Sequence, residues 1–244
     1  MRFDELSIKP ISYHNTLNTV LWENNHLKTD IRYKLLLIAK HFTQYLNVDN
    51  LNLKDITLSG SNASYGYSEY SDIDLHLVVD LDPDRVELYT AKKNLYNAKY
   101  DIKIKDIDVE LYVQSDKQKH HSAGIYSILN DRWISEPKHE PPKVSEQEVK
   151  SKARNYAGKI NSAFKSNDLD IAKSVLDDIY KLRAAGLESG GENSVENLAF
   201  KLLRSRGQIN KLNKFIDKLQ SADLSIGEHY EDQWDRKRRT RDDI

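Results

Sequence analysis

No cysteine occurs anywhere in the 244 residues. That excludes disulfides, cysteine nucleophiles and thiolate zinc sites, and it fits a reducing compartment. Nor is one charge in excess: 37 Lys+Arg stand against 38 Asp+Glu, a formal net charge of −1. The balance argues against a histone-like or ribosomal-type basic protein and equally against an acidic disordered tail. Long apolar runs are missing too. The longest strongly apolar stretch, Leu35 to Ala39, falls far short of the ~20 residues needed to span a bilayer. The opening Met1-Arg2-Phe3-Asp4-Glu5 has no apolar signal-peptide core. No internal repeat is visible. These absences lead us to expect a soluble cytoplasmic protein with no membrane partner.

What is present is a foldable chain, 39% hydrophobic and 31% charged, long enough for one or two domains. Apolar residues Ile31, Leu35, Ile38, Phe42 and Tyr45 recur at helical spacing and predict a helix over 30–46, with a weaker one near 14–23. Residues 54–59, 72–79 and 107–113 read as strands, the latter two by alternation, with a helix over 84–99 between them. Pro137, Pro141 and Pro142 then punctuate the chain, and Ser145 with Glu148 forms a capping-box pattern. Beyond it the pattern is helical, with helices expected at 146–166, 168–186 and 194–221. Ser122 to Tyr126 reads as another helix start. The fold class expected is α/β (α+β): a small mixed-sheet domain over 1–140, a helical subdomain over 143–227, and a charged tail over 228–244.

Three segments carry chemistry. They are Leu58-Ser59-Gly60-Ser61, Tyr70-Ser71-Asp72-Ile73-Asp74-Leu75, and Asp106-Ile107-Asp108-Val109-Glu110-Leu111. Alternation puts Asp72 and Asp74 on one strand face about 7 Å apart. Two like charges there repel unless a counter-ion lies between them, and a hard divalent cation such as Mg²⁺ or Mn²⁺ prefers carboxylate oxygens. A third carboxylate from the 107–113 strand would allow two ions ~3.5–4 Å apart, the arrangement used for in-line phosphoryl or nucleotidyl displacement. Asp106, Asp108 and Glu110 share one face, so periodicity alone does not choose among them. Gly60 lets backbone approach a phosphate closely, and Ser61 and the turn's N–H groups can hold its oxygens.

Gly60-Ser61, the eleven-residue step to Asp72-x-Asp74, and the later Ile107-Asp108-Val109 resemble the DNA polymerase beta-like nucleotidyltransferase superfamily. The likeness covers roughly residues 54–114, and the stretch from Gly186 to Leu212 looks like that of phage-encoded members. The resemblance implies metal ligands at Asp72, Asp74 and Asp108, with Asp108 preferred for its apolar-Asp-apolar context. It implies that Gly60 and Ser61, with Ser71 beside them, hold the triphosphate of an NTP such as ATP. The implied reaction moves a nucleoside monophosphate to an acceptor hydroxyl and releases pyrophosphate. RNA is one acceptor it allows, a cyclic oligonucleotide one product, and a catalytically inactive nucleotide- or RNA-binding module the alternative to an enzyme.

Other features weigh less. Lys201 and Arg204, on a stripe with Lys211, Lys214 and Lys218, either complete the triphosphate site, bind a nucleic-acid backbone, or form a solvated helix face. His76 continues the face of Asp72 and Asp74, as a structural residue or a neighbour of the ligands. His120 and His121 lack the second cluster a zinc site requires. Asp80-x-Asp82-x-Asp84 opens like a calcium loop, but Arg85 stands where Gly is needed and Ala91 where Glu is needed. Asn62-Ala63-Ser64 fits a glycosylation pattern by chance. The basic run Arg236 to Arg241 reads as a solubilising tail. Charge is split unevenly: residues 1–144 carry 18 basic and 21 acidic side chains, residues 145–244 carry 19 and 17.

Overall fold

The computed structural model describes residues 13–48, 51–81, 83–118, 122–141 and 143–225. Pro142, His120, His121, the tail 228–244 and its basic run lie outside the described residues. The architecture is a mixed α/β fold with a mixed sheet and six α-helices. Among the described residues no helix is long and apolar enough to cross a membrane.

The first element is a surprise. The stretch 14–23, expected to hold a weak helix, instead consists of bends and turns that end in β1 (Trp22–Glu23), which pairs antiparallel with β2 (His26–Leu27). Asn24 and Asn25 sit at φ 49° and 62°, the left-handed conformation that a tight hairpin turn requires and Asn tolerates. Helix α1 (Thr29–Leu46) follows, with Ile31, Leu35, Ala39, Phe42 and Leu46 buried along one stripe. It stops where Asn47 turns left-handed at φ 45°.

The six-stranded sheet has the order β5-β6-β4-β3-β7-β8. Its strands are β3 (Leu53–Ser59), β4 (Ile73–Val79), β5 (Lys103–Ile104), β6 (Ile107–Ser115), β7 (Ile125–Ser127) and β8 (Arg132–Ser135). All neighbours are antiparallel except β4 and β6, which run parallel because helix α2 (Val86–Lys99) carries the chain back between them. Strand β4 alternates cleanly: Ile73, Leu75, Leu77 and Val79 are buried in the core beneath α1, and Asp74, His76 and Val78 lie on the opposite face. One face therefore supplies the apolar core, and the other is left for polar groups. Where β5 ends, the β6 edge would expose Leu111; the Asn97 amide of α2 accepts from its N–H (3.1 Å) and donates to its carbonyl (2.9 Å), in place of a further strand. The segment expected to start a helix at Ser122 enters β7 instead. Three buried residues are too few to show a period, and pairing with β3 decides their conformation.

The helical part packs a second apolar cluster. Helix α3 (Glu146–Ser166) opens on the expected capping box, Ser145 and Glu148 each satisfying the other's backbone. Helix α4 (Leu169–Gly190) runs past Gly186, which was expected to end it. A Cβ there would lie 2.4 Å from the Glu196 Cβ, so this glycine permits close approach of α5 rather than termination. The last expected helix is two. Helices α5 (Val195–Ser205) and α6 (Gln208–Leu224) break at Gly207, at φ 67°, so Lys201 and Arg204 point along a different axis from Lys211, Lys214 and Lys218.

Replacing Asn97 with Ala leaves two backbone groups of a fully buried residue without partners, so it is expected to cost about 1–3 kcal/mol. Urea unfolding of the variant beside the wild type measures this directly.

Candidate metal and phosphate site

Register, more than sequence spacing, builds the polar face. Ser59 of β3 pairs with Asp74 of β4, and Asp74 pairs with Glu110 of β6. One pleat along, Thr57, His76 and Tyr112 form the next row. Asp72, just before β4, shares the face of Asp74. Carboxylate oxygens of Asp72, Asp74 and Glu110 come within 4.8 Å of one another, the group that could hold a metal ion among the described residues. A donor set of three acidic oxygens fits a hard divalent cation.

The carboxylate beside the aspartate pair is thus Glu110, where Asp108 was expected. Asp108 stands one pleat nearer the start of β6, exposed and paired to Lys103 Nζ of β5 at 2.5 Å. Val109-Glu110-Leu111 repeats the apolar-acidic-apolar context on which Asp108 was preferred, so that context does not discriminate between them. The signal that separates them is the parallel pairing of β4 with β6. Asp106 leaves the strand altogether, in a turn at φ 64°.

The electrostatics follow from crowding. Burial, then the Asp72 and Glu110 charges, push the Asp74 carboxyl up to about 8, partly offset by the Arg204 guanidinium. Tyr112 is pushed far above its usual range by burial and by Asp74 and Glu110. Its hydroxyl therefore stays protonated and hydrogen-bonds Glu110, fixing that side chain. The Tyr112 ring stacks on His76 at 4.8 Å, and His76 Nε2 lies 3.0 Å from Ser59 Oγ. His76 is therefore a packed neighbour of the acidic row.

The glycine-serine turn sits against this row. Gly60 has φ 75°, and a Cβ on it would fall 1.8 Å from Asp74 Oδ2, so only glycine can occupy the position. Ser61 begins a 3-10 turn (Ser61–Ala63), and its hydroxyl donates to Ser71 Oγ at 3.0 Å. Asn62, whose sequence context suggested only a chance glycosylation pattern, is fully buried and donates to the carbonyls of Ser71 (3.2 Å) and Asp72 (2.8 Å). It also accepts from Asn18 Nδ2 (2.9 Å) through Oδ1 and from Trp22 Nε1 (2.7 Å) through its carbonyl. Asn62 thereby ties the Gly60-Ser61 turn to the start of β4. It was missed because its role is made entirely by partners distant in sequence.

A cleft of about 590 Å³ opens beside the turn, bordered by Ser61, Ser71 and Asp72 on one side and by Lys201 and Arg204 of α5 on the other. Arg204 ion-pairs the Asp72 carboxylate across it. Asp108 also borders the cleft. The cleft thus brings Ser61, Ser71, Asp72, Asp108, Lys201 and Arg204 together, Asp72 joins it to Asp74 and Glu110, Gly60 lies against Asp74, and Asp108 stands outside the three-carboxylate group.

No family model matches this chain, and no curated protein matches it. Among solved structures it is similar to the STING-associated CdnE c-di-GMP synthase from Capnocytophaga granulosa. That likeness has a TM-score of 0.24 and 12% identity, over 81% of this chain and 84% of that one.

Since Asp74 binds its proton more tightly when folded, its contribution to the stability of metal-free protein is full below about pH 3.8 and is lost as pH rises through about 8. Thermal melts in EDTA between pH 5 and 8 are expected to fall with pH in wild type, and to flatten in Asp74→Asn.

Proposed function

We propose that this protein is a metal-dependent nucleotidyltransferase, moving a nucleoside monophosphate from an NTP to an acceptor hydroxyl with release of pyrophosphate. The observation that carries the reading is the convergence of Asp72, Asp74 and Glu110 beside a Gly60-Ser61 turn, at a cleft where Asp72 and Ser61 meet Lys201 and Arg204. Asp72, Asp74 and Glu110 would hold Mg²⁺ or Mn²⁺, two ions in the arrangement that serves such displacements. Bound there, the ions would lower the pKa of the acceptor hydroxyl and neutralise the leaving pyrophosphate.

The remaining work belongs to the chain. Ser61 and Ser71 hydroxyls, with the N–H groups of the turn, bind phosphate oxygens that the glycine allows to come close. Lys201 and Arg204 meet the triphosphate from α5, with Arg204 exchanging its Asp72 partner for a phosphate oxygen. Tyr112 keeps the Glu110 carboxylate in place, and Asn62 keeps the turn against Asp72. Residues 1–140 are the catalytic domain in this reading and 143–227 the helical subdomain, each with its own apolar cluster. The favoured acceptor is an RNA 3′ hydroxyl. Support comes from Lys211 and Lys214, exposed on α6 next to Asn210, which borders the cleft.

The test is incubation with each labelled NTP, Mg²⁺ or Mn²⁺, and total RNA, followed by separation of products. Asp72→Asn, Asp74→Asn and Glu110→Gln are each expected to lower NTP consumption by more than about 100-fold, beyond the usual cost of an outer-shell change. Asp108→Asn is expected to stay within a few-fold of wild type. Consumption unaffected by the first three substitutions refutes the reading.

A further inference from the structure

Tyr67 borders the cleft between the Gly60-Ser61 turn and the Asp72 strand. Its ring lies flat on the imidazole of His14, centroids 3.9 Å apart and planes 12° from parallel. His14 Nε2 is 3.1 Å from the Tyr67 carbonyl oxygen. A carbonyl only accepts, so Nε2 carries the proton and donates. The His14 backbone N–H donates to the Tyr65 carbonyl at 2.9 Å, and the Tyr67 hydroxyl hydrogen-bonds the Thr16 side chain. The ring is therefore held at one face, at its backbone and at its hydroxyl by a segment some fifty residues earlier in the chain.

His14 and Thr16 lie outside the cleft wall, whereas Tyr67 forms part of it. One face of the ring is backed by imidazole, and the residue lines the cleft. An aromatic ring immobilised in advance loses no rotamer freedom when a second ring is laid on it, which is the condition for an efficient stacking site. The phosphate-binding turn lies on the same wall, and the cationic residues lie opposite.

We propose that Tyr67 is the base platform of the cleft: the nucleobase of the NTP stacks on the Tyr67 face remote from His14, and His14 is a positioning residue that keeps the ring flat. This rests on the nucleotide reading of the cleft and deepens it. Stacking uses the π face that every base presents, so the site accepts all four bases and holds purines more tightly through their larger area. It also separates two parts of substrate recognition. Ser61, Ser71, Lys201 and Arg204 hold the triphosphate; Tyr67 distinguishes a nucleotide from a bare polyphosphate.

The experiment is calorimetric titration of the full chain with ATP and, separately, with inorganic tripolyphosphate, both with Mg²⁺. Fluorescence of 2-aminopurine riboside triphosphate, which is quenched when its base stacks, is followed in parallel. Wild type is expected to bind ATP more tightly than tripolyphosphate and to quench the analogue. Tyr67→Ala is expected to lose about tenfold or more in ATP affinity, in line with the loss of one base–aromatic stack, and to lose the quench. Its tripolyphosphate affinity should not change, which also shows that the variant is folded. Tyr67→Phe should keep both affinities, because the face is retained, and His14→Ala should weaken ATP alone by a smaller factor. If Tyr67→Ala weakens ATP and tripolyphosphate equally, or weakens neither, the platform is overturned and the nucleotide reading survives. If neither ligand binds wild type, the nucleotide reading fails and the platform fails with it.

Discussion

Three carboxylates held within 4.8 Å of one another are the constraint on which the rest of this molecule depends. In water such a group would separate or protonate. Here it can do neither freely, because two of the three are side chains of adjacent, hydrogen-bonded strands. The protein answers the repulsion in several ways at once. Asp74 is pushed toward its neutral form, Tyr112 hydrogen-bonds Glu110, and Arg204 places a positive charge against Asp72. None of these would be needed on an ordinary polar strand face.

The sheet can sustain that arrangement because its two faces do different work. Ile73, Leu75, Leu77 and Val79 anchor β4 in the core under α1, so the strand cannot slip without burying charge. With β4 locked, Ser59 and Glu110 are placed on either side of Asp74 by register alone. The turn at Gly60 is equally determined. Its positive φ and the nearness of Asp74 Oδ2 leave no room for a side chain, so turn and acidic row are one unit. Asn62 extends that unit to Asn18 and Trp22, tying the short β1–β2 hairpin region to the site.

The helical part supplies what the sheet cannot. Every acidic group of the row comes from the sheet or the residue just before it, and the cations that face it come from α5. The break at Gly207 gives α5 its own direction, which takes Lys201 and Arg204 to the cleft while Lys211, Lys214 and Lys218 follow α6. Gly186 serves the same end from behind, since its missing side chain lets α4 lie close against the start of α5.

Much of this was legible in the residues alone. The alternation at 72–79, the helical stripe at 30–46, the capping box at Ser145 and the Asp72-x-Asp74 pair are local patterns, and periodicity or capping chemistry reads them without reference to distant partners. The hairpin at Trp22 to Leu27, the three-residue β7 and the continuation of α4 past Gly186 were not legible, because each is decided by contacts made elsewhere in the chain. The third carboxylate belongs with these. Asp108 and Glu110 each lie between two apolar residues on the same face of the same strand, and local pattern treats them alike. The sequence by itself determined that two aspartates would share a strand face after a Gly-Ser turn, since a period of two follows from the extended backbone. Only the tertiary structure decided that Glu110 joins them and that Arg204 meets Asp72, because strand register and helix direction are set by how the cores pack.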